Sequence, residues 1–361
     1  MAGRTRMAPR LAAIAMLLLL CLTLATTPAA LAAQEVTPAD DAYHYAAWAD
    51  GAHDATYIEW WYFNVVDASR SVRAIFSYFV SNPDSLLEPA RIQVVAVAYT
   101  GEGTVSAVDA YPAEAFSASS QQADVAIGQC TIEVIDADTY RIAGASLDGR
   151  LEWDLVYVRA ASSWFAADRM PVGRLDWERM SWLVYMPRAQ VSGRLAVDGR
   201  VYEIDAAGYH DHNWGEWIPT DALWSWAQYS NPDLAFELGD FQGQPTGLAS
   251  IDAAGERTVF TKEQYAFIHT RWAFDHAERV WYPTESLLVA DDGRRRLRIA
   301  MTVVDTVALR GDLAFPLPDV IVFEQTARYE GWLWTKSPAG KWLLETAFRG
   351  EGFKEYTAKH Y

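Results

Sequence analysis

The sequence predicts an all-β protein of the sandwich or barrel class, and three observations carry that expectation. Short runs of alternating or β-branched residues recur along most of the chain, as at residues 72–80, 91–99 and 150–159. Two Asp-Gly pairs, Asp198-Gly199 and Asp292-Gly293, separate such runs and are strong short-range signals for a hairpin. No long stretch keeps a helical period, and residues 261–267 hold the one weak candidate. Many short strands joined by turns indicate stacked or closed sheets and not a βαβ fold.

Taken in order, the chain opens with Arg4, Arg6 and Arg10, an apolar run over residues 11–25, Pro28, and the small-residue stretch Ala30-Leu31-Ala32. That is the order of a secretory signal, with cleavage expected after Ala32 and a periplasmic or secreted destination for the remainder. No later run is apolar for long enough to span a bilayer as a helix. Of 30 basic and 47 acidic side chains (formal net charge −17), the leader holds three Arg, so the mature chain keeps 27 against 47, a net −20. Such an acidic balance opposes phosphate backbones, so nucleic-acid binding is not expected. Cys130 is left as the sole cysteine, which excludes an intrachain disulfide and reads as a small core residue.

The strands follow. Leu151, Trp153, Leu155 and Tyr157 share one face of residues 150–159, with Glu152 and Asp154 on the other. Residues 190–197 and 201–206 flank the first Asp-Gly pair; residues 286–290 and 294–304 flank the second. A weak internal echo divides the chain: Glu59-Trp60-Trp61-Tyr62-Phe63-Asn64 is answered by Trp224-Ser225-Trp226-Ala227-Gln228-Tyr229, with Trp224 standing 164 residues after Trp60. Each segment is expected to open one barrel, with a Trp packed across its floor and a boundary near residues 215–220, giving domains at 33–217 and 218–361. Chance repetition in a chain with 16 Trp is the alternative. The 16 Trp, 18 Tyr and 14 Phe also imply that many rings line clefts or strand faces, since a buried indole N–H needs a partner.

The densest chemistry lies in Gly208-Tyr209-His210-Asp211-His212-Asn213-Trp214-Gly215. In an extended segment Tyr209, Asp211 and Asn213 share one side, and His210, His212 and Trp214 the other. His at i and i+2 is compatible with a metal pair, with a third ligand from His53, Asp54, His269, His276 or an acid. No second His-x-His or Cys pair accompanies it, so no metal is expected, and both imidazoles are assigned to hydrogen bonds that orient the Asp. The Asp side suggests proton chemistry: Tyr209 and Asn213 would position the Asp211 carboxyl, which burial against aromatic walls would keep protonated. An ionised Asp accepting backbone N–H bonds in a turn is the competing reading. There is no Gly-x-Ser-x-Gly elbow, Walker loop or dinucleotide fingerprint, so no cofactor is expected.

The runs 59–64 and 208–215, with Gly350-Glu351-Gly352-Phe353-Lys354-Glu355-Tyr356 near the end, resemble the AttH/CrtC family, which includes the carotenoid 1,2-hydratases and has a secreted, lipocalin-like branch. The resemblance spans nearly the whole mature chain. It implies two consecutive lipocalin-like β-barrels around an apolar cavity, with Asp211 as proton donor and Tyr209 in support. The expected activity is acid-catalysed hydration or cyclisation of an isoprenoid-like alkene, a hydro-lyase or cyclase reaction without cofactor. Trp60, Trp61, Tyr62, Trp214, Trp224 and Trp226 are the candidate rings for a hydrophobic ligand, about half of them in contact with it. Glu59, Asn64, His210, His212 and Asn213 are supporting residues, with Glu59 a possible partner of the His side. The alternatives are a non-catalytic carrier of a lipophilic molecule with an export-system partner and, third, a metal-dependent hydrolase using His210 and His212.

Overall fold

A computed structural model describes residues 35–83, 90–310 and 320–359, so the signal assigned to residues 1–32 lies outside the described residues. The first sheet is built from β1 (Tyr57–Asp67), β2 (Val72–Ser81), β3 (Arg91–Thr100), β4 (Gly103–Tyr111), β5 (Phe116–Ala118) and β6 (Val125–Ile127). It continues through β7 (Cys130–Asp136), β8 (Thr139–Ala145), β9 (Leu151–Arg159), β10 (Trp164–Pro171), β11 (Arg179–Val197) and β12 (Arg200–Glu216). The second sheet holds β13 (Trp224–Asn231), β14 (Leu234–Phe241), β15 (Gly247–Ala253), β16 (Glu256–Thr261) and β17 (Tyr265–Asp275). Its remaining strands are β18 (Val280–Asp291), β19 (Arg295–Leu309), β20 (Val320–Lys336) and β21 (Trp342–Lys359).

The chain is all-β, as expected: the first sheet curls into a nearly closed barrel and the second into a half-barrel. Each has its own apolar interior. Their connectivities repeat. Four strands run as a meander, and the last strand of the half then returns beside the first, so that β12 pairs with β1 and β21 with β13. Residues Val36–Tyr361 form one compact unit, and a third apolar cluster, including Tyr62, Trp182, Tyr209, Trp226 and Phe353, fills the seam between the sheets.

Local sequence explains most elements. On β9 the residues Leu151, Trp153, Leu155 and Tyr157 are buried and Glu152 and Asp154 exposed, because successive side chains alternate across a half-buried strand. Asp198 and Gly199 take φ of 49° and 79°, the left-handed pair that a two-residue hairpin requires. The weak helical pattern at residues 261–267 amounts to a single tight turn, Lys262–Gln264, before β17 begins.

Two glycines bracket the motif on β12 because backbone passes too close for a side chain. A Cβ on Gly208 would stand 2.4 Å from Val191 Cγ2 and 2.6 Å from the Asn64 carbonyl oxygen. At Gly215, φ is +151° and a Cβ would meet the Arg179 carbonyl oxygen at 2.2 Å. Gly215→Ala is therefore expected to destabilise the protein by about 2–4 kcal/mol. Chemical denaturation checks this, and an unchanged midpoint would contradict the close approach.

Candidate functional site

The 208–215 segment is the second half of β12, held between β1 and β11. Its register sets Asp211 opposite Tyr62, His212 opposite Trp61 and Asn213 opposite Trp60. Alternation then sends His210, His212 and Trp214 into the barrel interior and Tyr209, Asp211 and Asn213 towards the seam.

Inside the barrel the two imidazoles meet carboxylates from the segment before β1 and from β1 itself. His210 places Nδ1 2.9 Å from the Tyr62 carbonyl oxygen and Nε2 2.9 Å from Asp41 Oδ2. His212 places Nε2 2.8 Å from Glu59 Oε1 and Nδ1 3.1 Å from Asp41 Oδ1. Glu59 also accepts the His44 backbone N–H at 3.0 Å and the Tyr57 hydroxyl. All four of Asp41, Glu59, His210 and His212 are fully buried. Burial alone would raise the Asp41 carboxyl, but His210 and His212 outweigh it and hold it at about 2. His212 is pushed up, since Asp41 and Glu59 overcome a burial that disfavours its charge.

These shifts have a sign. A carboxyl depressed from 3.8 to about 2 contributes stability above pH 3.8, and that contribution disappears as pH falls through the interval to 2. For Asp41 it is about 2 kcal/mol. The raised His212 contributes fully below its ordinary value and loses that contribution as pH rises through its folded one. Thermal melts of the wild type should therefore drop below pH 4, and Asp41→Asn should flatten that acid limb. A parallel drop in both proteins would contradict the assignment.

On the seam side, Asp211 is 2% exposed. Its Oδ2 accepts the indole N–H of Trp182 at 2.8 Å and the Tyr209 hydroxyl at 2.8 Å, while Oδ1 lies 3.2 Å from the Asn213 amide nitrogen. Burial outweighs these donors and raises the carboxyl from 3.8 to about 8. A carboxyl raised this far favours its neutral form at pH 7, and of its two oxygens Oδ1 makes the single, longer contact.

Asp211 lines a cavity whose wall includes Trp60, Tyr62, Trp182, Trp217, Trp224 and Trp226, with Asn213, Asp240 and Glu355 as polar points. A smaller adjoining pocket shares Trp60, Tyr62, Trp224 and Glu355 and adds Glu324. Four of the six candidate rings, Trp60, Tyr62, Trp224 and Trp226, are thus brought together. They meet in the seam between the sheets, not on a barrel floor. Trp61 and Trp214 do not line the cavity, because they point the other way on their strands. Trp61 donates its N–H to the Asp41 carbonyl oxygen at 3.0 Å and stacks on His212, and Trp214 lies flat on His44 at 3.8 Å. Asn64 donates to Gln228 Oε1 at 3.1 Å across the seam.

Sequence reasoning missed Trp182, Trp217 and Glu355 on the wall, and Asp41 and His44 behind the imidazoles. Of the ligands proposed for a His pair, His53 contacts Asp50 and stacks on Trp177, and His269 contacts Ser286. Among the described residues, two groups bring together three residues able to ligate a metal: His44, Glu59 and His212, and Asp50, His53 and Glu216. In the first group Glu59 accepts from the His44 backbone N–H and the Tyr57 hydroxyl and contacts His212 Nε2.

Fold and site together define a class: a two-sheet β-barrel protein with a ring-lined cavity at the seam and a buried carboxyl in its wall. The sequence matches no family model and no curated protein. In structure the chain is similar to a Nitrosomonas europaea protein described as a candidate AttH (NE1406), with a TM-score of 0.64 at 16% identity, over 85% of this chain and 94% of that one. That likeness establishes the fold. Transferrin-binding protein B structures from Haemophilus parasuis (11% identity, covering 83% of this chain and 75% of that one) and Neisseria meningitidis (9%, covering 81% and 64%) align at TM-scores of 0.11 and 0.10, too low to carry an argument.

Proposed function

We propose that the protein binds an apolar, isoprenoid-like alkene in the seam cavity and protonates it from Asp211. One observation carries this reading: a buried carboxyl, pushed up to about 8 by its burial, stands in the wall of a ring-lined cavity. Asp211 transfers its proton to the less substituted alkene carbon, the π electrons form the new C–H bond, and a tertiary carbocation remains. Trp60, Trp224 and Trp226 present π faces to that charge, each worth about 0.5–2 kcal/mol when water is excluded. Water then adds through oxygen and returns a proton to the Asp211 carboxylate, giving a tertiary alcohol, or an internal alkene adds, closes a ring and leaves a new cation that loses a proton to the same carboxylate. Tyr209 and Trp182 are positioning residues that fix Oδ2. The motif resemblance to the carotenoid hydratases supports the same assignment, and the likeness to the candidate AttH structure supports the barrel fold it requires.

The test incubates purified protein in D₂O with an acyclic terpenoid bearing trisubstituted alkenes. The expected products are a tertiary alcohol or a ring carrying one deuterium at the protonated carbon, formed by the wild type and absent with Asp211→Asn. Retained turnover in that variant would remove the mechanism. Tight binding without turnover in either protein would leave a carrier of lipophilic molecules.

A further inference from the structure

The two halves meet face to face through residues that correspond in the internal echo. Trp60 stacks on Trp224 at 6.5 Å, Tyr62 packs edge-on against Trp226 at 5.2 Å, and Asn64 bonds Gln228. The strand registers extend this correspondence to the carboxyls. Tyr62 pairs with Asp211 on β12, and its counterpart Trp226 pairs with Glu355 on β21. Asp211 and Glu355 thus hold the same place in the two halves, and both line the cavity. Each also receives an indole N–H at 2.8 Å, from Trp182 and Trp224 respectively.

Their surroundings then diverge. Beside Glu355, directly opposite on β20, stands Glu324, also buried and lining the adjoining pocket. Two carboxyls so close in an apolar setting cannot both ionise, so the pair holds one proton. Burial, with the charge of Glu355 and a hydrogen bond to it, raises Glu324 most strongly, so Glu324 keeps the proton and donates to Glu355. Asp240, the other carboxyl of the cavity, is engaged by the Tyr265 hydroxyl at 2.7 Å and by the Lys262 ammonium. Among the described residues, no Lys or Arg lines either pocket. Lys354, next along β21, extends from the opposite face and donates to Gln325 Oε1 at 2.9 Å. Burial pushes the Glu355 carboxyl up as well, against the Trp224 N–H, the hydrogen bond from Glu324 and the Lys354 charge, which all favour its ionised form, and it is this carboxyl that lines the cavity beside the Trp rings.

We propose that Glu355 is the counter-charge of the cavity, and that the seam therefore prefers ligands with a positive charge beside an alkyl chain. A tertiary carbocation in passage and a resting alkylammonium group share that chemistry. Aromatic faces and a desolvated carboxylate attract both. This rests on the reading that the cavity takes an apolar ligand, and not on proton transfer from Asp211.

The test compares dodecyltrimethylammonium, below its micellar concentration, with the neutral isostere in which carbon replaces the quaternary nitrogen, both read by quenching of Trp fluorescence. The wild type should bind the cation at least tenfold more tightly. Glu355→Gln should bring the ratio near one while the neutral probe binds as before. Glu324→Gln should keep the preference, because its amide still donates to Glu355, and so should Asp211→Asn. A wild-type ratio near one overturns the proposal, as does a preference lost in Glu324→Gln but kept in Glu355→Gln. Should Glu355→Gln not fold, the wild-type ratio alone decides. If neither probe binds, the cavity reading falls and the counter-charge with it. A preference for the cation without any alkene turnover would remove the catalytic reading and leave the counter-charge standing. Turnover on an alkene substrate with no such preference would do the reverse.

Discussion

Asp211→Asn is expected to abolish turnover and, at the same time, to make the protein more stable. Removing a positioned general acid typically costs 10²–10⁴-fold in rate, and Asp211 is the carboxyl that, among the described residues, receives the trio of donors from Trp182, Tyr209 and Asn213. The stability gain follows from the raised carboxyl. Below pH 3.8 both folded and unfolded chains hold the proton. Between 3.8 and about 8 only the folded chain does, so folding is penalised increasingly as pH rises, and above 8 the penalty is constant. At pH 7 it is about 4 kcal/mol. Asn has the same shape, accepts from Trp182 and Tyr209, and carries no such penalty. The melting temperatures of wild type and variant should converge near pH 4 and separate towards pH 8, with the variant higher. A variant that is less stable at every pH would mean that Asp211 is an ordinary ionised acceptor.

Glu59→Ala is expected to act in the opposite direction, costing about 3–5 kcal/mol. The Glu59 carboxylate is fully buried and serves His212, the His44 backbone N–H and the Tyr57 hydroxyl together. Its removal leaves His212 with Asp41 alone and strands two further buried donors. The loss should show as a lower denaturation midpoint with an unchanged slope, and Glu59→Gln should recover part of it by still accepting one hydrogen bond. Because Glu59 and Asp211 lie on opposite sides of the β1–β12 pair, binding of an apolar probe to the refolded variant should be unaffected.

How far the sequence could reveal this site depends on which contacts are local. Period-two alternation correctly separates Asp211 from His210 and His212, because a strand has no other way to arrange neighbours. The same rule places Trp61 away from Trp60 and Tyr62, and Trp214 with the imidazoles, which sorts the six candidate rings into those that can line the cavity and those that cannot. The hairpin at Asp198-Gly199 was equally legible, since positive φ at two successive residues is a local demand. Trp182, Trp217, Glu324 and Glu355 were not. They reach the cavity only because one curled sheet packs against another, and no short-range pattern encodes that approach. The echo of Trp60 in Trp224 held a partial clue, and pairing the last strand of each half with its first turns it into the correspondence of Asp211 with Glu355. Asp41 and His44 fall in the irregular segment before β1, where no periodicity indicates direction.

The most direct test is infrared difference spectroscopy of wild type minus Asp211→Asn across a pH series in D₂O. At pH 7 the difference should contain the C=O stretch of a protonated carboxyl, and that band should give way to carboxylate bands as pH passes about 8. Carboxylate bands alone, already present at pH 5, would show that Asp211 is ionised in the folded protein and has no proton to give.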